Sequence, residues 1–483
     1  MNARLPAHPR YAWLLLALAV LCPVVVSGAS AQEAGSCLAG PVEIRDGEEH
    51  HNIGSCFRYL QDEAHEYSLE DVIAGNTPEF NEHTVGVLNY GYTESVFWIK
   101  RDLVYRNGSH PVADWVVELV LPLVDQADLY LVNEQDEVVT RQQHRYSDEW
   151  SEREFAVPNP SFRLNLAPGE RYTLLLRVET RNTMRLPLNL WELDSYLGKV
   201  AVDEWIQGLF MGALFALLAY NFFVTLVVRE PGYIYYTTYI LFAMLFVMTE
   251  QVHGMQVFGG LQSWLHKEYL HIYIQLSWIF GTMMARELLD TRNRAAHLDQ
   301  VLKLCLYAAI TTLVISLFHD YHVAMEWTVV GSVGLAVVII ALSYWAWRNE
   351  LPSAGIYFVS WLCTLVGVGF YGTAVMGYYP LNSFTSHAPQ IGFVAQNILL
   401  SLAFANRIKI VQREALEWNQ QAVANLHRYR ALFENAMEGI FQMSTSCRFL
   451  DANPSMARIL GYSTVESLIN GVPDALRACF SQS

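Results

Sequence analysis

A series of apolar runs between Ile206 and Ala405 constrains the fold of this 483-residue chain more than any other feature. Each run is close to the ~20 residues that a helix needs to cross a hydrocarbon layer of about 30 Å. The sequence therefore predicts a bundle of seven transmembrane helices. The predicted spans are Ile206–Val228, Tyr233–Gln251, Tyr269–Leu289, Val301–Phe318, Trp327–Trp347, Ile356–Met376 and Pro389–Ala405.

The basic residues between the spans predict the orientation of the bundle, because Lys and Arg in short loops are retained on the cytoplasmic side. With the N-terminal part outside, the external turns carry only Lys267. The internal turns then carry Arg229, Arg286, Arg292, Arg294, Lys303, Arg348, Arg407, Lys409 and Arg413. We therefore expect the N-terminal domain outside and the C-terminus in the cytoplasm.

The first 31 residues have the pattern of a secretory signal peptide. Arg4 and Arg10 precede the apolar run Tyr11–Val26, and Ala29-Ser30-Ala31 has the small residues of a cleavage site. The alternative is an uncleaved extra helix, for which the run is short. The sequence therefore predicts an exported domain at residues 32–202.

Two cysteines of the exported domain form a candidate disulfide, because export places Cys37 and Cys56 in an oxidising compartment. The bridge would close a short loop and restrict the unfolded chain. The alternative is a pair of free thiols. The spacing of the residues shows no metal-binding motif, and the sequence does not identify a cofactor.

Short alternating runs after about Phe57 predict a β-sandwich in the exported domain. In Val96–Tyr105 the residues Phe97, Ile99, Leu103 and Tyr105 share one face, and Trp98, Lys100 and Asp102 share the other. Residues 32–202 carry roughly 29 acidic and 14 basic side chains, a balance that argues against nucleic acid and anionic lipid as partners of this domain.

Several strings of this region are similar to one family. "LNYGYTESVFWIKRDLVYRN", "LVLPLVDQADLYLV" and "LAPGERYTLLLRVET" resemble the extracellular domain of bacterial seven-transmembrane receptors with diverse intracellular signalling modules, and "LLAYNFFVTLVVREPGYIYYTTYILFAMLF" resembles the opening of their membrane domain at 203–407. The resemblance implies a jelly-roll sandwich similar to carbohydrate-binding modules. It also implies a small extracytoplasmic ligand, with carbohydrate as a candidate, and a location in the bacterial inner membrane.

Four side chains of the exported domain are candidates for binding a sugar or a carboxylate through aromatic stacking and charge-assisted hydrogen bonds: Trp98, Arg181, Arg185 and Trp191. The alternative is that both tryptophans pack inside the sandwich and both arginines balance local acids.

Polar residues within the predicted spans are the candidate intramembrane site: Asn221, Gln275, Gln396 and Asn397, with Ser401 nearby. A proton pump or ion channel would require more ionisable groups along a path. Hydrogen bonding between helices is the alternative role.

The last span is predicted to continue as a helix at 408–430. Apolar residues recur there at alternating steps of three and four, which predicts a coiled-coil seam and a homodimer. The seam consists of Ile408, Val411, Ala415, Trp418, Ala422, Asn425, Tyr429 and Leu432.

Residues 431–483 resemble the start of a PAS domain. "LFENAMEGIF" and "FLDANPSMARILGY" match its entry helix, first strands and following helix, whereas Ser446-Cys447 departs from the usual hairpin turn. About half of the fold is present, so we expect a truncated PAS domain. In the family such segments precede histidine kinase, diguanylate cyclase or adenylate cyclase domains.

The chain has no catalytic constellation such as a phosphate-binding loop or a nucleophile elbow. The leading interpretation is a receptor whose sandwich binds a ligand and whose helices pass the change to the cytoplasm. The alternatives are a transporter and a membrane-anchored binding module without a signalling output.

Overall fold

A computed structural model describes residues 40–45, 47–84, 86–106, 113–148, 150–252, 266–375, 383–444 and 448–471. The predicted signal peptide, Cys37, the Ser446-Cys447 turn and the last part of the predicted PAS segment lie outside these ranges. The chain divides into two compact units, Met1–Ala403 and Phe404–Ser483.

The first unit begins with a region rich in strands. The strands are β1 Val42–Arg45, β2 His50–Asn52, β3 Phe57–Asp62, β4 Asn81–His83, β5 Asn89–Tyr92, β6 Val96–Arg106, β7 Ala113–Leu119, β8 Gln126–Asn133, β9 Val138–Arg145, β10 Ser161–Leu166, β11 Arg171–Glu179, β12 Thr183–Arg185 and β13 Leu188–Glu192. A short helix, α1 Leu69–Ala74, and one 3-10 turn, Trp150–Glu152, interrupt them.

The strands form two main sheets. One has the order β4-β3-β6-β11-β8-β9, with β1 parallel to β6, and the other has the order β10-β7-β13-β2. A separate ribbon joins β12 to β5. Ile99 and Leu176 from the first sheet share one buried core with Val117 and Leu190 from the second. The predicted β-sandwich is therefore confirmed.

The alternation along β6 separates two layers of buried residues. Phe97 and Ile99 lie in the core between the sheets. Trp98 lies on the opposite face, as predicted, in a second cluster with Tyr130 and with Val72 of α1. Since α1 covers this face, the outer side of the sheet is partly closed to solvent.

In the described part of the chain, seven long helices follow the sandwich. They are α2 Leu193–Val228, α3 Pro231–Glu250, α4 Leu270–Leu288, α6 Ala296–Ser316, α7 Tyr321–Arg348, α8 Ala354–Val375 and α9 Ser383–Asn435, with the short helix α5 Thr291–Arg294 after α4. A 3-10 turn, Lys267–Tyr269, precedes α4. Among the described residues, six of these helices are long and apolar enough to cross a membrane. The exception is α4, which carries polar residues such as His271 and Gln275.

Two helices extend furthest beyond the predicted spans. Helix α2 begins at Leu193, directly after β13, although its first turns contain charged residues such as Lys199 that no apolar run would include. Helix α9 continues through the last predicted span and the predicted linker to Asn435 without a break.

The second unit contains the end of α9 and a small α/β region. A two-stranded sheet of β14 Phe441–Met443 and β15 Phe449–Ala452 is followed by α10 Pro454–Ile459 and α11 Val465–Gly471. Asn453 is fully buried, and its amide donates to Glu438 O at 2.8 Å and accepts from Met456 N at 2.9 Å. This side chain therefore fixes the turn from β15 into α10.

Candidate functional site

The sandwich contacts the helices through loops at one of its ends. An apolar cluster there contains Leu123 and Tyr146 of the sandwich together with Val252 and Leu270 of the membrane domain. Tyr321, at the start of α7, packs against the same cluster. Apolar burial therefore joins the two domains around a set of polar contacts.

We call this contact region between the sandwich and the helices the first joint. Lys267, which precedes α4, makes its central polar contacts. Its ammonium lies 2.5 Å from Asp125 Oδ1 and 3.3 Å from Leu123 O, and it stands 4.6 Å from the centre of the Tyr146 ring. The residue is 1% exposed. Burial lowers the pKa of Lys267, and the Asp125 carboxylate opposes this shift. Burial also raises the pKa of Tyr146 to about 12, so the phenol is neutral.

The segment 180–185 of the sandwich reaches three further parts of the membrane domain. The Arg181 guanidinium donates to Glu268 at 3.5 Å, and its backbone N–H donates to Asp125 Oδ2 at 2.8 Å. Tyr321 OH donates to Asn182 Oδ1 at 2.7 Å. Both arginines predicted to bind a ligand therefore lie in contact with the membrane domain, since Arg185 donates to Tyr371 OH of α8 at 3.1 Å.

A second joint connects the sandwich to α2. The Glu118 carboxylate is 1% exposed and lies 2.5 Å from Lys199 Nζ, and it also accepts from Asn159 at 2.9 Å and from Trp191 Nε1 at 3.1 Å. Tyr196 OH lies 2.6 Å from Ser161 Oγ. Because β13 runs directly into α2, these contacts attach the first long helix firmly to the smaller sheet.

The four candidate ligand residues are in different environments. Trp98 is 1% exposed and stacks near Tyr130, with ring centres 6.2 Å apart. Trp191 stacks on His50 at 4.0 Å and is engaged by Glu118. The structure therefore brings Arg181 and Arg185 to one face of the sandwich and leaves the tryptophans in packed positions.

Asn221, Asn397 and Ser401 form one polar network in the bundle. Asn221 of α2 donates to Ser401 Oγ of α9 at 3.1 Å. Tyr236 of α3 lies 3.1 Å from the same hydroxyl and donates to the carbonyl of Asn397 at 2.5 Å. Three helices are therefore joined at one depth by hydrogen bonds.

The other two predicted polar residues also connect helices. Gln275 of α4 donates to Thr328 of α7 at 2.5 Å and accepts from Ser316 of α6 at 3.1 Å. Gln396 of α9 accepts from Thr364 of α8. The contacts agree with the alternative that these residues hold the bundle together.

Helices α8 and α9 pack so closely that two glycines touch the facing backbone. A methyl group added at Gly367 of α8 would overlap the carbonyl of Ala388, and one added at Gly392 of α9 would meet Cys363 O at 2.5 Å. Small residues permit such close approach of membrane helices.

The disulfide prediction is only partly within the described residues. Cys56 is disulfide-bonded, whereas its predicted partner Cys37 lies outside them. Cys305 and Cys363 are free thiols. Within the described ranges, His, Cys, Asp and Glu form no group that could hold a metal ion.

Sequence reasoning missed the residues of the joints. Lys267 was noticeable only as a single cation among the external turns, and Asp125, Tyr146 and Glu118 look like ordinary sandwich residues in the sequence. Their role depends on which loops face the helices, and strand alternation does not determine this.

Three family models match the chain, in order along its length. The description "7TMR-DISM extracellular 2" matches residues 54–192, "7TM diverse intracellular signalling" matches residues 203–407, and "PAS domain" matches residues 427–481. No curated protein has a significantly matching sequence.

Proposed function

The chain belongs to the seven-transmembrane receptors with diverse intracellular signalling, and on this basis we propose that it is a transmembrane signal-transduction receptor. It is a multi-pass membrane protein with an extracellular domain and a PAS domain. In the proposal, the sandwich senses a small ligand, the helices change their packing, and the exit helix passes the change to the PAS region and a signalling enzyme.

The observation that carries this proposal is the polar contact between segment 180–185 and the helices. Arg181, Asn182 and Arg185 each contact a different part of the membrane domain. A change in the sandwich that moves this segment alters contacts at the start of α7 and on α8 together. A ligand shifts such an equilibrium only by its difference in affinity for the two arrangements.

The second step of the relay passes from α8 to α9. At the two glycines the backbones of α8 and α9 are in direct contact. A displacement of α8 therefore moves α9 directly and does not depend on flexible side chains between them. Since α9 is one continuous helix to Asn435, its movement extends past the last span.

The exit helix supports a homodimer. Its predicted seam includes Trp418, Tyr429 and Leu432, whose exposed fractions are 73%, 66% and 68%. Apolar side chains at this spacing are buried when a second copy pairs with the helix. We propose that the ligand-induced change in the helices alters how the two exit helices pack along this seam.

The ligand part of the proposal rests on Arg181 and Arg185. A sugar or a carboxylate bound by either side chain competes with Glu268 or Tyr371 for the same guanidinium, and so couples binding to release of the helices. Stacking of a sugar on Trp98 requires that α1 move away. Carbohydrate is the first ligand class to test, and the bacterial inner membrane is the proposed location.

A transporter is the weaker alternative. The side chains of Asn221, Gln275 and Gln396 are engaged in bonds between helices, as expected for a packed bundle. A binding module without output differs from a receptor in one measurable respect, because its exit helix does not respond to changes in the sandwich.

The test uses the full chain in membranes, with a photo-crosslinking amino acid in place of Trp418. Removal of one outer contact by Arg185→Ala or Tyr371→Phe is expected to change the yield of crosslinked dimer at least about twofold. Arg171→Ala is the matched control, because Arg171 is exposed and its ion pair with Glu134, at 4.0 Å, lies within the sandwich. Equal crosslinking in all four proteins contradicts the receptor proposal.

A further inference from the structure

Three groups of the sandwich surround the ammonium of Lys267. They are the carboxylate of Asp125, the carbonyl of Leu123 and the ring face of Tyr146. A carboxylate, a carbonyl and an aromatic face together are the chemistry that recognises an alkylammonium ion. All three belong to one domain, and the cation comes from the other.

The geometry favours a compact ammonium over a guanidinium. Lys267 Nζ directs donors to two oxygens from a position over the ring, and only 2% of its side chain is exposed. The neighbouring Arg181 guanidinium also approaches Asp125, but its Nε is 3.6 Å from the carboxylate and 56% of the side chain is exposed. The planar cation therefore lies at the rim, and the ammonium fills the enclosed position.

We infer that Leu123, Asp125 and Tyr146 form a binding site for primary alkylammonium ions, and that Lys267 occupies it as a tethered ligand. Free primary amines compete with Lys267 for this site. Binding of the amine rests only on the geometry of Leu123, Asp125 and Tyr146. Its consequence, release of the helices from the sandwich, rests on the proposed function. Because the tether gives Lys267 a high effective concentration, competition in the native chain requires amines at millimolar levels or above.

Chemical rescue tests the site in the full chain in nanodiscs. Lys267→Ala removes the side chain beyond Cβ, and n-propylammonium has the same three carbons and nitrogen as the part removed. We expect amide hydrogen exchange of segment 180–185 to become at least about tenfold faster in Lys267→Ala. Addition of 1-propylammonium chloride at roughly 20 mM should restore most of the protection, whereas 1-propanol and guanidinium at the same concentration should not.

Lys199→Ala is the matched control, since Lys199 also pairs with a buried carboxylate, at the other joint. In this variant we expect faster amide hydrogen exchange around β7, and we expect that propylammonium does not change the exchange of segment 180–185. Unchanged exchange in Lys267→Ala, or equal rescue by propanol, overturns the inference.

If Lys267→Ala does not fold, the native chain provides the second measurement. Propylammonium should accelerate exchange of segment 180–185 in a dose-dependent manner, and an effect equal to that of sodium at the same ionic strength contradicts the site. Neither result changes the crosslinking test at position 418, so failure of this inference and failure of the receptor proposal are distinguishable.

Discussion

Asn221 of the first long helix and Ser401 of the last are joined by a hydrogen bond of 3.1 Å between the amide nitrogen and the hydroxyl. The contact closes the bundle between two residues that are 180 positions apart in the chain. It also links the helix attached to the sandwich with the helix that leaves the membrane domain.

The first prediction concerns the strength of this bond. Interhelical hydrogen bonds in membranes contribute about 0.6 kcal/mol on average, so Ser401→Ala, which removes the contacts of the hydroxyl with both Asn221 and Tyr236, should destabilise the bundle by at least that amount. A double-mutant cycle with Asn221→Ala, measured by unfolding in mixed detergent micelles, should give a coupling energy of about 0.6 kcal/mol. A coupling energy of zero would show that the two side chains act independently.

The second prediction concerns the joint between Glu118 and Lys199. Lys199→Met leaves the buried carboxylate without its cation, although Asn159 and Trp191 still donate to it. Removal of one partner of a buried ion pair costs roughly 3–5 kcal/mol, and we expect the lower end because the lysine is partly exposed.

The double variant provides the control for this second prediction. Glu118→Gln combined with Lys199→Met should be less destabilising than the sum of the single variants, because no buried carboxylate then lacks a cation. The other carboxylate beside Lys199, that of Asp203 at 3.1 Å, is partly exposed. Thermal unfolding followed by tryptophan fluorescence measures both. Additive effects would mean that the pair is not coupled.

The third prediction is a pH dependence at His144 of β9. Burial lowers the pKa of this imidazole to about 3. The unfolded chain binds a proton near pH 6.5 and the folded chain does not, so stability is lost as the pH falls below about 6.5. Between pH 7.5 and pH 5 this group alone should cost about 2 kcal/mol.

The variant His144→Gln cannot titrate and isolates this contribution. The difference in unfolding free energy between the native chain and the variant should change by about 2 kcal/mol over that pH range. Parallel pH profiles for the two proteins would exclude His144 as the source.

Strand alternation and long apolar runs could be predicted from the sequence, because both depend only on which residues are buried. The alternation along β6 placed Phe97 and Trp98 on opposite faces, and the structure confirms this, with Phe97 in the core between the sheets and Trp98 in the second cluster. The long apolar runs likewise predicted the helices, and the charged start of α2 was missed because it packs on the sandwich and not in lipid.

Pairings between distant residues could not be predicted, since they depend on which loops and helix faces meet. The sequence marked Arg181 and Arg185 as candidates for binding a ligand, but it contained no sign that Glu268 and Tyr371 would face them. The sequence placed Lys267 in an external turn, and its burial follows only from the packing of the sandwich against the start of α4. The role of the polar residues in the spans was easier to predict, because a side-chain amide within the membrane requires a hydrogen-bond partner, commonly on another helix.

The last prediction tests the close packing of α8 against α9. A methyl group at Gly367 would overlap the carbonyl of Ala388, which belongs to a helical backbone and has no room to move, so Gly367→Ala should destabilise the bundle by about 1–3 kcal/mol. Gly369→Ala is the matched control on the same helix, because no atom lies within 4 Å of the added methyl group. The control should be neutral or stabilising by up to about 1 kcal/mol, since alanine favours helix over glycine. Equal stabilities for the two variants in detergent unfolding would mean that α8 and α9 separate at little cost, and the relay through their backbones would then lose its physical basis.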